Sequence, residues 1–506
     1  MSSNASLEKK LSDNRWLILV VVSIAQLMVV LDATVVTIAL PAAQRALGFG
    51  NNERQWIVTA YALAFGSLLL LGGRIGDLFG RKWTFIGGLI AFAAASALGG
   101  AAPSFGVLVT ARAIQGVAGA MLAPAALSTL VTTFHNPKDR ARAFGVFGSV
   151  AVGGGAVGLI LGGVLTEYLS WRWVMYVNVF FAALAAGGAL LYLVNQRPAV
   201  RPRIDVIGTG LASGGLFLLV FGFSHAETAS WGNAVTVGSL LLGVMLLAGF
   251  GYAETRVHTP LLPLRVVADR SRGTAFAAVW MAGVAMFGIF LFLTYYLQIV
   301  KGFSPVMTGL AFLPMIGCVM ISSNMANIVL LPRFGPRIVI TVGMLLGSAA
   351  MAYLTQIEVS SSYASHVLPS LLVMGLGMGS VMAPSMNTAT AGVRPQDAGV
   401  ASALVSTMQQ IGGSIGTAVL STISATVAAN YLADHHSGAD AVAVAATHSY
   451  TVAFSIGSGL FLLGAIMGAS LFPSKAKLDA LRAQAAPPRA DAAADRALAD
   501  IVAIEF

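Results

Sequence analysis

Runs of apolar residues recur along the chain from Trp16 to Phe472, each near the roughly 20 residues that carry a helix across a bilayer. Hydrocarbon offers no water to backbone N–H and C=O groups, so a chain built this way folds as helices that close their own hydrogen bonds. The pattern predicts an all-α polytopic membrane protein. Its fourteen transmembrane helices fall at roughly 16–40, 55–72, 83–101, 107–130, 143–165, 174–195, 205–224, 233–253, 273–299, 306–331, 336–356, 365–388, 397–427 and 449–472. Only 10% of the 506 residues are charged, against about 25% in soluble domains, so there is no room for a large soluble domain. The 56 glycines are abundant within the apolar runs, where missing side chains let helices approach closely.

Lysine and arginine set the expected orientation. With the N-terminus inside, 24 of the 29 basic residues fall in inside segments. Arg45, Arg54, Arg172 and Lys301 fall outside, and Arg112 lies within a helix. This bias predicts both termini in the cytoplasm and a multi-pass protein of the inner (plasma) membrane. It also accounts for the net charge of +9 without a nucleic-acid partner. The first apolar run reads as a retained anchor, not a cleaved signal. The lone Cys318 excludes an intrachain disulfide and reads as a small buried hydrophobe. His435 and His436 lack suitably spaced partners, so no metal site is expected. No Walker-type loop is present to couple ATP.

Two internal matches suggest duplication. Gly119-Ala-Met-Leu-Ala-Pro124 resembles Gly379-Ser-Val-Met-Ala-Pro384 at an offset of 260, and Gly154-Gly-Ala-Val-Gly158 resembles Gly412-Gly-Ser-Ile-Gly416 at 258. The expected organisation is a cytoplasmic N-terminus (1–15), a six-helix bundle (16–195), a linker with inserted helices 7 and 8 (196–272), a second six-helix bundle (273–472) and a cytoplasmic, disordered tail (473–506). Transporters are commonly built from such six-helix pseudo-repeats, with the substrate site near the midplane between them.

Asp32 is the only charge in the first apolar run. A carboxylate at membrane depth costs about 2.5–3.5 kcal/mol on insertion scales, and such residues usually mark ion, proton or substrate paths. Asp32 sits about 12 Å below the outer end of its helix and Arg112 about 9 Å below the same face, at 1.5 Å per residue. The two can therefore pair as a proton-coupling site, with a purely structural ion pair as the alternative. In the second half the polar residues Tyr295, Tyr296, Gln298, Asn324, Asn387 and Gln409, accompanied by methionines such as Met374 and Met378, are the substrate-pocket candidates, since flexible thioethers suit an adaptable apolar pocket.

Several strings resemble one family. Gly73-Arg-Ile-Gly-Asp77-Leu-Phe-Gly80-Arg81-Lys82 resembles the signature loop of the major facilitator superfamily. The motif Leu108-x-x-x-Arg112-x-x-Gln115-Gly116-x-x-Gly119 resembles the helix-4 motif of its proton-coupled members. Leu31-Asp32-x-Thr34, running on to Ala39-Leu40-Pro41, resembles the helix-1 motif of the fourteen-helix drug:proton antiporter branch, the EmrB/QacA type. Trp171-Arg172-Trp173 with Asn178, and Tyr295-Tyr-Leu-Gln298 with Gly302-Phe-Ser-Pro305, are similar to that branch too.

The resemblance implies a major facilitator fold and, in place of enzyme activity, efflux of small hydrophobic or cationic compounds by alternating access. A proton gradient would drive it without a cofactor. The implied partners are a small-molecule substrate, protons and the lipid bilayer, with a periplasmic adaptor left open. It adds Gln115 to the pocket candidates and implies a conformational latch of Gly73, Asp77, Gly80 and Arg81, with Asp139 as a candidate partner. Other readings are an exporter of one specific endogenous metabolite and a non-transporting scaffold or sensor. The sequence departs from the family at two places. Leu159 stands where the helix-5 motif has proline, and Phe180 stands where proline follows the Asn-Val pair. The glycines Gly154, Gly158 and Gly162 of that fifth helix remain as a packing stripe.

Overall fold

A computed structural model describes residues 2–50, 53–134, 136–194, 205–257, 262–391, 393, 398–434 and 441–475. The expected disordered tail beyond 475 and His435 and His436 lie outside the described residues. Among the described residues the chain is helical and has no strand. The helices are α1 (Ser2–Leu47), α2 (Gln55–Phe79), α3 (Arg81–Gly100), α4 (Phe105–Thr133), α5 (Pro137–Val164), α6 (Trp173–Tyr192), α7 (Val206–Ala229), α8 (Ala234–Arg256), the short α9 (Leu264–Ala268), α10 (Arg270–Tyr295), α11 (Pro305–Met325), α12 (Leu331–Leu354), α13 (Leu368–Thr390), α14 (Ala398–Asp434) and α15 (Ala441–Leu471). Eleven stretches among the described residues are long and apolar enough to cross a bilayer.

The helix ends follow local chemistry. Ser304 caps α11 by accepting from the N–H of Met307, with Pro305 in the first turn. Asp205, Asn233 and Asp269 cap α7, α8 and α10 in the same way. At the turn from α2 to α3, Gly80 takes φ 90°, a conformation that side chains resist. Gly335, at φ 76°, breaks the long apolar stretch Pro305–Leu354 just after the start of α12.

Within the first part of the chain α1 packs on α5 and α6, α2 on α4, and α3 on α4 and α6. In the last part α10 packs on α14, α13 and α15, α11 on α13, and α12 on α13 and α15. The two groups meet along α2 with α14 and α5 with α11. Helix α7 lies against this seam, and α8 packs on α7. Ser213 of α7 donates to the carbonyl of Ser67 on α2 (2.9 Å), and Thr422 of α14 donates to that of Phe223 on α7 (3.5 Å).

The fifth helix runs unbroken through Leu159, as expected without the proline. Its glycines form a groove for α1. A methyl group on Gly154 would lie 3.0 Å from Leu27 Cδ1, one on Gly162 would lie 2.8 Å from Val35 Cα, and one on Gly158 would strike Thr34 Oγ1. Leu159 faces the other way. It is fully buried, and its carbonyl carbon would sit 2.9 Å from a methyl on Gly309 of α11. One turn of α5 thus touches α1 on one side and the second group of helices on the other.

Candidate functional site

Asp32 and Arg112 meet in the interior of the first helix group. Arg112 Nη1 donates to Asp32 Oδ2 at 2.5 Å, and the two side chains are 2% and 0% exposed. Taking both ions from water costs several kcal/mol each, and a well-packed apolar replacement is often as stable. Stability alone is therefore a weak reason to keep this pair.

The remaining valences of the pair are well satisfied. Asp32 Oδ1 accepts from Gln115 Nε2 (3.0 Å) and from Asn178 Nδ2 (2.7 Å). Arg112 donates through Nε to the carbonyl of Ile57 (3.1 Å) and through Nη1 to Gln115 Oε1 (2.9 Å). Gln115 also donates to Ser96 Oγ (2.7 Å). The guanidinium lies 4.4 Å from the centroid of the Tyr61 ring, close enough for a cation–π contact. Five helices, α1, α2, α3, α4 and α6, thus supply one buried polar cluster. Two polar atoms at its edge, Asn178 Oδ1 and the Tyr61 hydroxyl, have no partner among the described residues. The carboxylate is thus matched by one cation and two neutral donors, a set of partners drawn from helices that can move relative to one another.

Gln115, a pocket candidate by the family resemblance, has an amide that bridges Asp32, Arg112 and Ser96. Asn178 was legible only as part of a motif, and Ser96 and Tyr61 carried no signal. Uncharged polar residues are common in helices, and only the bundle geometry says which of them face a charge.

The second-half residues divide between two places. Tyr295, Tyr296 and Gln298 lie at the end of the bundle opposite the basic loops. Tyr295 donates to Gln44 Oε1 (2.6 Å), and Gln298 Nε2 donates to the carbonyl of Ile38 (3.0 Å). Arg54 stands 4.0 Å from the Tyr295 ring centroid. On the other flank Glu167 accepts from the N–H of Val306 (3.0 Å). These contacts join the two helix groups at that end. Tyr296 donates to the carbonyl of Glu358 within the second group (2.7 Å).

Asn324 and Asn387 lie towards the basic end and are exposed. Asn387 donates to Asn327 Oδ1 (2.8 Å), and Asn324 donates to the carbonyl of Met320 (2.8 Å). Gln409 is half-buried on α14, its backbone pressed against Gly283 of α10. Met374 and Met378 are buried in the core of the second group.

At the basic end the Asp77 side chain lies outside the described residues. Asp139 pairs with Arg15 of α1 at 2.9 Å. Gly73 sits beside Pro124 of α4, and Lys82 donates to the carbonyl of Leu190 on α6 (2.8 Å). Among the described residues no group of histidine, cysteine or carboxylate side chains could hold a metal.

Eleven membrane-crossing stretches among the described residues, packed around a buried acid–base pair, define a polytopic helical membrane protein. The sequence matches the Major Facilitator Superfamily over residues 22–417, and the chain belongs to that family. It is a transporter and not an enzyme. It is 49% identical over 463 residues to the puromycin resistance protein pur8 of Streptomyces alboniger, covering 91% of this chain and 92% of that one. It is 37% identical to the cephamycin export protein CmcT of Amycolatopsis lactamdurans (80% and 84% covered). It is 32% identical to the lincomycin resistance protein of Streptomyces lincolnensis (95% and 96%). Among solved structures, the POT family transporter PepTSo shares the fold at a TM-score of 0.66 and 15% identity, covering 90% of this chain and 97% of that one. A bacterial homolog of the human lysosomal transporter Spinster does so at 0.62 and 16% (90% and 98%).

Proposed function

We propose that this protein exports antibiotic-like small molecules across the cell membrane in exchange for protons, with Asp32 as the proton-coupling acid and Arg112 as its partner. The buried, hydrogen-bonded pair of Asp32 and Arg112 carries the reading, because intramembrane ions kept at this cost usually lie on a proton or substrate path. The names of the relatives, puromycin and lincomycin resistance and cephamycin export, support efflux of antibiotics.

The proposed architecture is fourteen crossings in two six-helix halves, 16–195 and 273–472, with α7 and α8 inserted between them. Three observations support it. The stretch Pro305–Leu354 divides at Gly335, the shorter apolar helices Gln55–Leu69 and Ile207–Phe223 add two crossings to the eleven, and contacts cluster within each half. The basic loops suit the cytoplasmic face of the plasma membrane. The halves are joined at the opposite end through Tyr295, Gln298 and Glu167, which fits a conformation open to the cytoplasm. Asn324, Asn387 and Gln409 remain proposed pocket residues on that open side. The turn holding Gly73, Asp77, Gly80 and Arg81 would latch the cytoplasmic side when it closes.

Coupling follows from differential affinity. Protonation of Asp32 must favour one conformation, and the substrate the other, for a gradient to drive net export. The test is puromycin flux in proteoliposomes of the purified protein under an imposed pH gradient. Uphill movement that collapses with a protonophore supports exchange. Movement that ignores the gradient would leave an uncoupled carrier and overturn the proposal.

A further inference from the structure

The Arg112 guanidinium lies between the Asp32 carboxylate and the face of the Tyr61 ring. Tyr61 is 3% exposed. Its hydroxyl has no hydrogen-bond partner among the described residues, so its contact with the cluster runs through the ring face. The ring is held firmly. It stacks on Phe65, with centroids 5.8 Å apart. On α4, Gly116 abuts the Tyr61 backbone, and a methyl on Gly119 would lie 3.4 Å from the Tyr61 hydroxyl and 2.7 Å from Phe65 Cδ2. The notch in α4 thus fixes the distance between ring and guanidinium.

When Asp32 is ionised the buried pair is neutral. When Asp32 takes a proton, a buried cation is left without its anion. Arg112 then keeps its bonds to the Ile57 carbonyl and Gln115 Oε1, but neither of these groups carries a charge. The negative face of the Tyr61 ring is the remaining counterweight, and such contacts strengthen when they are desolvated. The charged groups facing Tyr61 are Asp32 from α1 and Arg112 from α4. The α3 and α6 helices add the neutral Ser96 and Asn178. From α7 and α14, which also pack on α2, no charged side chain reaches Tyr61 among the described residues.

We propose that Tyr61 is a positioning residue whose ring face holds Arg112 through the protonated half of the transport cycle. This rests on the coupling reading above. Its consequence is specific. The face helps most when Asp32 is protonated, so weakening it makes Asp32 harder to protonate.

Infrared difference spectroscopy of the purified full-length protein across pH tests this without a substrate. The protonated-carboxyl band that disappears in Asp32→Asn reports Asp32 alone. With Tyr61→Leu the pH midpoint of that band should fall by about one unit, a tenfold loss of proton affinity. Tyr61→Phe, which keeps the face and drops the unpartnered hydroxyl, should stay near the parent. If Tyr61→Leu does not fold, mono- and trifluorinated phenylalanine at position 61 keep the ring shape while draining the face. The midpoint should then fall with each step of fluorination. A band that titrates in the parent but is unmoved by fluorination, or that moves as far in Tyr61→Phe as in Tyr61→Leu, overturns the role of the face. A parent with no titrating Asp32 band overturns the coupling reading and this one together.

Discussion

Asp32 and Arg112 stand eighty positions apart in the chain and 2.5 Å apart in space, each sealed from solvent by the helices that carry the other. Neither ion can be changed without leaving its partner unpaired in low dielectric. Arg112→Ala leaves a buried carboxylate with two neutral donors. Burial then favours the protonated form, so the pH midpoint of substrate-linked proton release should rise. The loss of the partner should also cost about 3–5 kcal/mol of stability. Arg112→Lys should recover part of both effects, since an ammonium restores charge but not the Nε bond to the Ile57 carbonyl. Proton release measured against pH in all three proteins checks this. An unmoved midpoint in Arg112→Ala would mean that the pair is not coupled.

Asn178 supplies a smaller share. Its amide donates to Asp32 Oδ1 at 2.7 Å from α6. Asn178→Ala should raise the same midpoint, but by less than Arg112→Ala, because one neutral donor is lost and the cation stays. A hydrogen bond to a charged group is worth about 1.5–3 kcal/mol, which bounds the shift to roughly one to two pH units. The two midpoints, compared in one titration series, should fall in that order.

The α5 glycines predict a steric phenotype. A methyl on Gly158 would strike Thr34 Oγ1, and Thr34 has its own hydroxyl bonded back to the Val30 and Leu31 carbonyls. Gly158→Leu should abolish transport by forcing α1 and α5 apart, at about 1–3 kcal/mol or more of overpacking. Gly158→Ala should impair it, and Thr34→Ala should restore part of the loss in the double variant. Leu159→Pro should be neutral or harmful, since the groove against α1 depends on missing side chains and the Leu159 backbone packs on Gly309. Transport rates at matched membrane levels report the outcome. A fully active Gly158→Leu protein would sink the packing argument.

Tyr295 should hold the end opposite the basic loops closed. Its hydroxyl donates to Gln44 and its ring carries the Arg54 guanidinium. Tyr295→Ala removes both contacts and should open that end more often. Tyr295→Phe keeps the ring and should have an intermediate effect. Labelling of Thr37→Cys, a position only 8% exposed, in a Cys318→Ser background reads the opening. The rate from the outer side should rise severalfold with Tyr295→Ala, and less with Tyr295→Phe.

Charge and periodicity made much of this legible. Asp32 and Arg112 stood out because apolar runs carry few ions, and helix rise alone put them in one layer. The stripe Gly154, Gly158 and Gly162 announced a close contact, although its partner, α1, is a property of the bundle. Tyr295 and Gln298 were visible as polar residues. That they bond Gln44 and Ile38 across the seam follows from how the two helix groups lean together, which no local pattern encodes. The coupling cluster was half visible for the same reason. Gln115, Asn178, Ser96 and Tyr61 come from four different helices, and their convergence is tertiary.

The most direct test of the account is pH-driven puromycin export by Asp32→Asn. The amide is nearly isosteric, so the variant should insert and fold, yet it can neither hold the charge nor exchange a proton. In proteoliposomes with an imposed proton gradient, the parent should accumulate puromycin against its concentration gradient, and Asp32→Asn should show no gradient-driven accumulation. Accumulation by Asp32→Asn at the parent's rate would contradict the assignment of Asp32 as the coupling acid.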